Sequence, residues 1–193
     1  MKRITVFCGS SSGSESIFEE MAYQLGKTLA KENIGLVYGG AKVGLMGVLA
    51  NGVIENHGEA IGVLPRFLKN VEIAHEHLTE LICVETMHQR KAKMDKLSDG
   101  IITLPGGFGT LEEFFEMLTW AQLGLHQKPV AILNVNGFFD DLLSLFHLMV
   151  QKGFLKQINL DMVIVSDDID DLLQKMKNYQ APLAGKWIDK TQT

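Results

Sequence analysis

"GIITLPGGFGTLEEF", residues 100–114, joins an apolar run to a glycine-rich turn and then to a helical period. "GIITL" (100–104) carries β-branched and leucine side chains and no charge, which predicts a buried strand. Pro105, Gly106 and Gly107 end it. Apolar residues then return at helical spacing from Thr110 onward. The same alternation runs along the chain. "ITVFC" (4–8), "GLVY" (35–38), "AIGVL" (60–64), "LICVE" (81–85), "VAILNV" (130–135) and "MVIVS" (162–166) read as further strands. Amphipathic stretches at 16–32, 45–57, 87–98, 110–124, 138–151 and 168–178 read as helices. Strands that are apolar throughout predict a parallel sheet covered on both faces. The expectation is one doubly wound α/β domain over residues 1–180, followed by an aperiodic, loosely docked tail at 181–193.

The chain has 193 residues, 46% hydrophobic and 21% charged, which suits a single globular domain. Its net charge is −5 and no basic run exceeds Arg90-Lys91, which argues against a nucleic-acid partner. "KRITVFCG" is too short and mixed for a signal peptide, and no apolar stretch is long enough to span a bilayer. A cytoplasmic protein without membrane attachment is expected. Cys8 and Cys83 read as buried, reduced thiols, and the histidines lack metal-ligand spacing, so no metal is expected.

In such a fold, ligands bind beyond the carboxyl ends of the strands. Three glycine-rich exits lie there: "CGSSSGS" (8–14), "YGGAKVGLMG" (38–47) and "LPGGFGT" (104–110). Gly9, Ser10 and Gly40 are candidate ligand contacts in the first two. Gly39 and Gly44 have P-loop spacing, but Leu45 and Met46 stand where Lys and Ser/Thr are needed. Gly107 and Gly109 begin a dinucleotide fingerprint whose third glycine is replaced by Glu112. What remains is a loop and a helix N-terminus able to hold one phosphate without a dedicated lysine. The competing account is a set of tight turns and nothing more.

Thr110 and Glu113 have the T-x-x-E spacing of a capping box. A helical wheel puts Leu111, Phe114, Phe115, Leu118 and Ala121 on the core face, with Glu113, Met117 and Trp120 opposite. An apolar outer stripe predicts a second subunit there, or else cover by a loop of the same chain. In the preceding helix, Arg90 and Lys91 share the inward side with Met87 and Met94. Buried cations need anions. Lys91 can snorkel to water, whereas Arg90 is expected to pair with Glu113. A carboxylate one sugar-length from a phosphate suits the oxocarbenium-like transition state of N-glycosidic cleavage. A nucleoside 5′-monophosphate fits that arrangement.

The assembled residues resemble the Lonely Guy family, cytokinin riboside 5′-monophosphate phosphoribohydrolases. "PGGFGTLEE" (105–113) is similar to that family's PGGxGTxxE motif, and "MHQRKAKM" (87–94) to its Met-His-x-Arg-Lys segment. "TWAQLGLHQKPV" (119–130) and "GLVYGGAKVGLMG" (35–47) also look like the family's. The resemblance implies a Rossmann-like homodimer, or a higher homo-oligomer, that releases free base and ribose 5-phosphate from adenine-type nucleotides without a cofactor. It implies catalytic roles for Arg90 and Glu113. Lys91, Gly107, Phe108, Gly109, Thr110, Leu111, Glu112 and Thr119 fall on substrate-binding positions, as does Glu72. Relatives have also been labelled lysine decarboxylases, but Lys91 and Lys93 show no pyridoxal-phosphate context. The rival expectation is a module that binds or senses a nucleotide without cleaving it.

Overall fold

The computed structural model describes residues 1–68 and 73–182. Glu72 and all of the tail beyond Pro182 therefore lie outside the described residues. The elements are β1 (Arg3–Phe7), α1 (Ser16–Lys31), β2 (Gly35–Tyr38), α2 (Gly44–Ile54), β3 (Ala60–Pro65), β4 (Glu80–Val84), α3 (Met87–Leu97), β5 (Gly100–Thr103), α4 (Phe108–Gln122), β6 (Val130–Leu133), α5 (Asp140–Gln151), α6 (Gln157–Leu160), β7 (Val163–Ser166) and α7 (Ile169–Asn178). The seven strands form one sheet in the order β4-β3-β2-β1-β5-β6-β7. Every neighbouring pair is parallel. The chain winds outward from β1 to β4, returns to the centre, and winds outward again from β5 to β7. This is the doubly wound Rossmann-like arrangement, with its switch point between β1 and β5.

Strand side chains alternate between the two faces. Ile4, Val6, Ile102, Ala131 and Leu133 pack with α1, α2 and α7. Phe7, Ile101, Val130 and Ile132 pack with α3, α4 and α5 through Met94, Phe114, Met117 and Phe146. The central strands are buried on both faces, as their composition requires, but β4 at the sheet edge is largely half-exposed. That edge position leaves Cys83 exposed, against the expectation of two buried thiols; Cys8 is buried.

Three local readings change. The "VAILNV" strand ends at Leu133, because Val135–Gly137 turn as a 3₁₀ segment with Asn136 at φ 51°. α6 occupies a stretch without a clear period in the sequence. α4 begins at Phe108 with Gly107 as its N-cap, so Thr110 already lies inside the first turn. The Thr110/Glu113 spacing is therefore not a cap. A related arrangement occurs at the start of α3. There the Thr86 hydroxyl accepts from the Gln89 N–H at 3.1 Å, and the Gln89 side chain accepts from the Glu85 N–H at 2.9 Å.

Among the described residues, no helix is long and apolar enough to cross a membrane. Nor is any group of three or more His, Cys, Asp or Glu side chains placed to hold a metal ion.

Candidate active site

The switch point brings two of the glycine-rich exits side by side. The Gly9 N–H donates to the Pro105 carbonyl at 3.0 Å, tying the loop after β1 to the loop after β5. Above them lies a cavity of about 320 Å³ lined by Gly9, Ser10, Arg90, Gly107 through Thr110, Glu112 and Glu113, with Cys8, Met46, Leu68 and Met87 completing the wall. The exit after β2 contributes Met46 from the first turn of α2. Gly40 turns away from this cavity: it has φ +82° and approaches Gly62 of β3. Its part is to bend the chain, which left-handed backbone favours in glycine.

The glycines of the 104–110 loop serve different ends. Gly106 is packed tightly, and a Cβ there would collide with the Thr110 hydroxyl. Among the described residues, no atom lies within 4 Å of where a Cβ on Gly107 or Gly109 would stand. Packing against the described residues therefore does not require them to be glycine. They leave open space in front of the α4 N-terminus, which has no side-chain cap. The first backbone N–H groups of a helix have no intrahelical acceptor, and the helix dipole adds positive potential there. An anion of phosphate size suits that place. Phe108 stands 93% exposed at the rim.

Arg90 and Glu113 are both buried, at 5% and 9% exposure. Arg90 Nη1 lies 3.8 Å from Glu113 Oε1. The Arg90 Nε donates to the Val63 carbonyl at 3.1 Å, which fixes the guanidinium beneath the cavity. Gly39, not singled out from the sequence as a site residue, leaves the room for that guanidinium. The Cys8 thiol forms part of the floor. Burial, and then the Glu113 charge, push its pKa well up, with Arg90 pulling the other way.

Lys91 does not snorkel. It is 7% exposed, and its Nζ lies 2.5 Å from Glu112 Oε1 and 2.7 Å from Glu116 Oε2. Burial pushes the ammonium pKa down, but the two carboxylates beside it outweigh burial and the net shift is upward.

The wheel reading of α4 needs correction. Its buried residues are Thr110, Glu113, Phe114, Met117 and Ala121. Met117 is 1% exposed and belongs to the chain's own core beside Met94. Trp120, Leu111, Phe115 and Leu118 are partly buried against the same core. Glu113 and Met117 thus face inward, and cover by the same chain accounts for Met117. Thr119 is exposed on α4. At about 1.5 Å per residue it lies roughly 9 Å along the axis from Glu113, outside the cavity wall. Leu111 is likewise not part of that wall.

Known proteins resemble this chain in sequence and in fold. A family model described as "Possible lysine decarboxylase" matches residues 46–176. A cytokinin riboside 5′-monophosphate phosphoribohydrolase of Arabidopsis thaliana is 44% identical over 178 residues, covering 92% of this chain and 84% of its own. A protein of Oryza sativa subsp. japonica named "Probable cytokinin riboside 5′-monophosphate phosphoribohydrolase" is 44% identical over 189 residues, covering 98% and 77%. Among solved structures, the molybdenum cofactor binding protein from Rippkaea orientalis superposes with a TM-score of 0.68 at 25% identity, covering 92% of this chain and 96% of that one. The molybdenum cofactor carrier protein from Chlamydomonas reinhardtii gives 0.68 at 21% identity, covering 91% and 95%, and shares the fold alone. The chain belongs to the Lonely Guy family of phosphoribohydrolases, the group whose loop and helix motifs its sequence resembles.

Proposed function

We propose that this protein hydrolyses the N-glycosidic bond of adenine-type nucleoside 5′-monophosphates, cytokinin riboside 5′-monophosphates or AMP, to free base and ribose 5-phosphate. The observation that carries this reading is one cavity holding both an uncapped helix N-terminus and the buried Arg90–Glu113 pair. From Phe108 to Glu113 the helix rises roughly 7–8 Å, which places the carboxylate within one nucleotide's length of the helix N-terminus. With the phosphate on the N–H groups of Phe108, Gly109 and Thr110, the ribose lies over Glu113. As the bond from base nitrogen to C1′ breaks, its electron pair leaves with the base and positive charge develops on the sugar. The Glu113 carboxylate stabilises that charge and accepts a proton from the water that attacks C1′. The departing base takes up a proton from solvent and Glu113 returns its own to solvent, so that one water is consumed and the carboxylate is restored. Arg90, held on the Val63 carbonyl, orients the carboxylate from below. The apolar wall of Cys8, Met46, Leu68 and Met87 limits access of bulk water.

A decarboxylase using a lysine Schiff base is less well supported. Such chemistry needs a free amine, whereas Lys91 is pinned between two carboxylates that favour its charged form. The second reading is a binding module that holds the nucleotide intact. The fold's occurrence in a protein named for binding a molybdenum cofactor favours it.

Incubation of the purified protein with AMP and with isopentenyladenosine monophosphate, followed by chromatography for free base, tests the proposal. Release by the wild type, lost in Glu113→Ala, is expected. No release above that variant overturns hydrolysis, and tight binding of nucleotide that stays intact selects the binding module. In this reading the protein is a cytoplasmic homodimer. Exposed Leu145, Leu148, Phe154 and Ile158 support self-association. A monomer in sedimentation at micromolar concentration rejects the dimer.

A further inference from the structure

Lys91 and Glu116 form a second bridge between α3 and α4, one residue along from Arg90 on the first helix and one turn along from Glu113 on the other. The two bridges differ in character. The Arg90–Glu113 separation is 3.8 Å, whereas Lys91 Nζ lies 2.7 Å from Glu116. Glu112 also meets Lys91, but its side chain is 56% exposed against 21% for Glu116, and it lines the cavity where Glu116 does not. A charge pair set away from water is screened less than one facing it. Glu112 and Glu116 stand at i and i+4 on α4, where like charges repel. The Lys91 ammonium between them removes that repulsion and draws this face of α4 onto α3.

We infer that Glu116 is a positioning residue: through Lys91 it sets how α3 lies against α4, and so the alignment of Arg90 with Glu113. The division of labour follows from the distances. The short outer bridge holds the helices in register. The longer inner pair lies in the cavity wall, where substrate is proposed to sit. Glu112, the more exposed carboxylate, can release Lys91 when an anionic ligand enters, and Glu116 keeps the ammonium in place when it does. This inference rests on the hydrolytic reading for its kinetic consequence, but its geometric content is independent of it.

The test compares Glu116→Ala and Glu116→Gln with the wild type, with thermal melting to confirm that each is folded. Gln keeps the shape and an oxygen acceptor for the Lys91 ammonium. With AMP as substrate, Glu116→Ala is expected to lower kcat by about tenfold to a hundredfold with KM changed less than about threefold. Glu116→Gln is expected to recover most of the loss. A crystal structure of Glu116→Ala is expected to show the Arg90–Glu113 separation opened or split between conformers. Unchanged kcat in Glu116→Ala overturns the inference, as does a loss that appears only in KM. Should the wild type release no base, the hydrolytic reading fails, and the crystal structure alone decides the positioning role. An Arg90–Glu113 separation still near 3.8 Å in the variant then overturns it.

Discussion

Gly39 lies directly against the Arg90 guanidinium: a Cβ there would run into Nη2 and stand 2.8 Å from the Met46 sulfur. The glycine at the exit of β2 therefore belongs to the arginine rather than to a ligand. Gly39→Ala is expected to push the guanidinium off the Val63 carbonyl. Overpacking of this kind costs about 1–3 kcal/mol. Misplacement of a catalytic group by an ångström can reduce turnover by about a hundredfold. Denaturant melts and base-release assays on the purified variant measure the two effects, and full kcat in that variant would show that the guanidinium can be moved without harm.

The loop glycines separate fold from binding. Gly106→Ala collides with Thr110 and is expected to destabilise by about 1–3 kcal/mol. Gly109→Ala fills open space inside the helix and is expected to stabilise by about 0.5–1 kcal/mol. Gly107→Ala, at the N-cap, should cost less than about 1 kcal/mol. Both of the latter put a methyl group where the phosphate is proposed to sit, so KM for AMP should rise in each. Titration by calorimetry checks this, and unchanged affinity in both variants would move the phosphate elsewhere.

Phe108 offers its ring to solvent rather than to the core. Phe108→Ala is expected to leave stability within about 0.5 kcal/mol of the wild type. If the ring covers bound nucleotide, the same variant should show a KM raised several-fold at nearly constant kcat. Steady-state kinetics with AMP and with an N6-substituted AMP would reveal whether one substrate depends on it more.

Acid should weaken the fold through His126. Its pKa is lowered by burial, against the opposing pull of Asp95 and the Met117 carbonyl that the ring contacts at 2.9 Å. In the unfolded chain an imidazole titrates near about 6.5. Between the lowered folded value and that figure, the unfolded chain binds the extra proton and the folded chain does not. Stability is thus fully present above about pH 6.5 and falls as pH drops towards the folded value. Buried His75, lowered by burial and then by His77 and Lys42, adds in the same sense. Melting temperatures from about pH 8 to about pH 5 should decline less in His126→Gln than in the wild type. Identical profiles would assign the acid loss to other groups.

The sheet was legible because each strand is a short apolar run and the intervening periods are amphipathic. Arg90 stood out as a cation among methionines on one helical side, and its burial follows that pattern, whereas Lys91, expected to reach water, is buried as well. The start of α4 was not legible. Thr110 and Glu113 have capping spacing, yet packing of β5 against α4 carries the helix back through Gly107 and Phe108, where propensity alone would not begin one. The wheel misassigned Met117 because it presumes a single covered face, whereas α4 is covered both by the sheet and on the side of α3. Glu116 gave no signal, since its partner lies in a different helix and only tertiary structure joins them. Glu72 falls outside the described residues, and Thr119 and Gly40 lie away from the cavity despite their place in family-like motifs.

The central seam of the sheet has a kinetic consequence. Ile4 of β1 pairs with Gly100 of β5, the most distant neighbours in sequence that the sheet joins. Arg90 arrives on the last crossover before that seam closes, and Glu113 on the first helix after it. Neither winding alone can assemble the pair. Closing so long a loop is slow compared with forming either local half. In refolding, recovered cleavage would therefore time the meeting of β1 and β5, while circular dichroism would already report the helices of both halves.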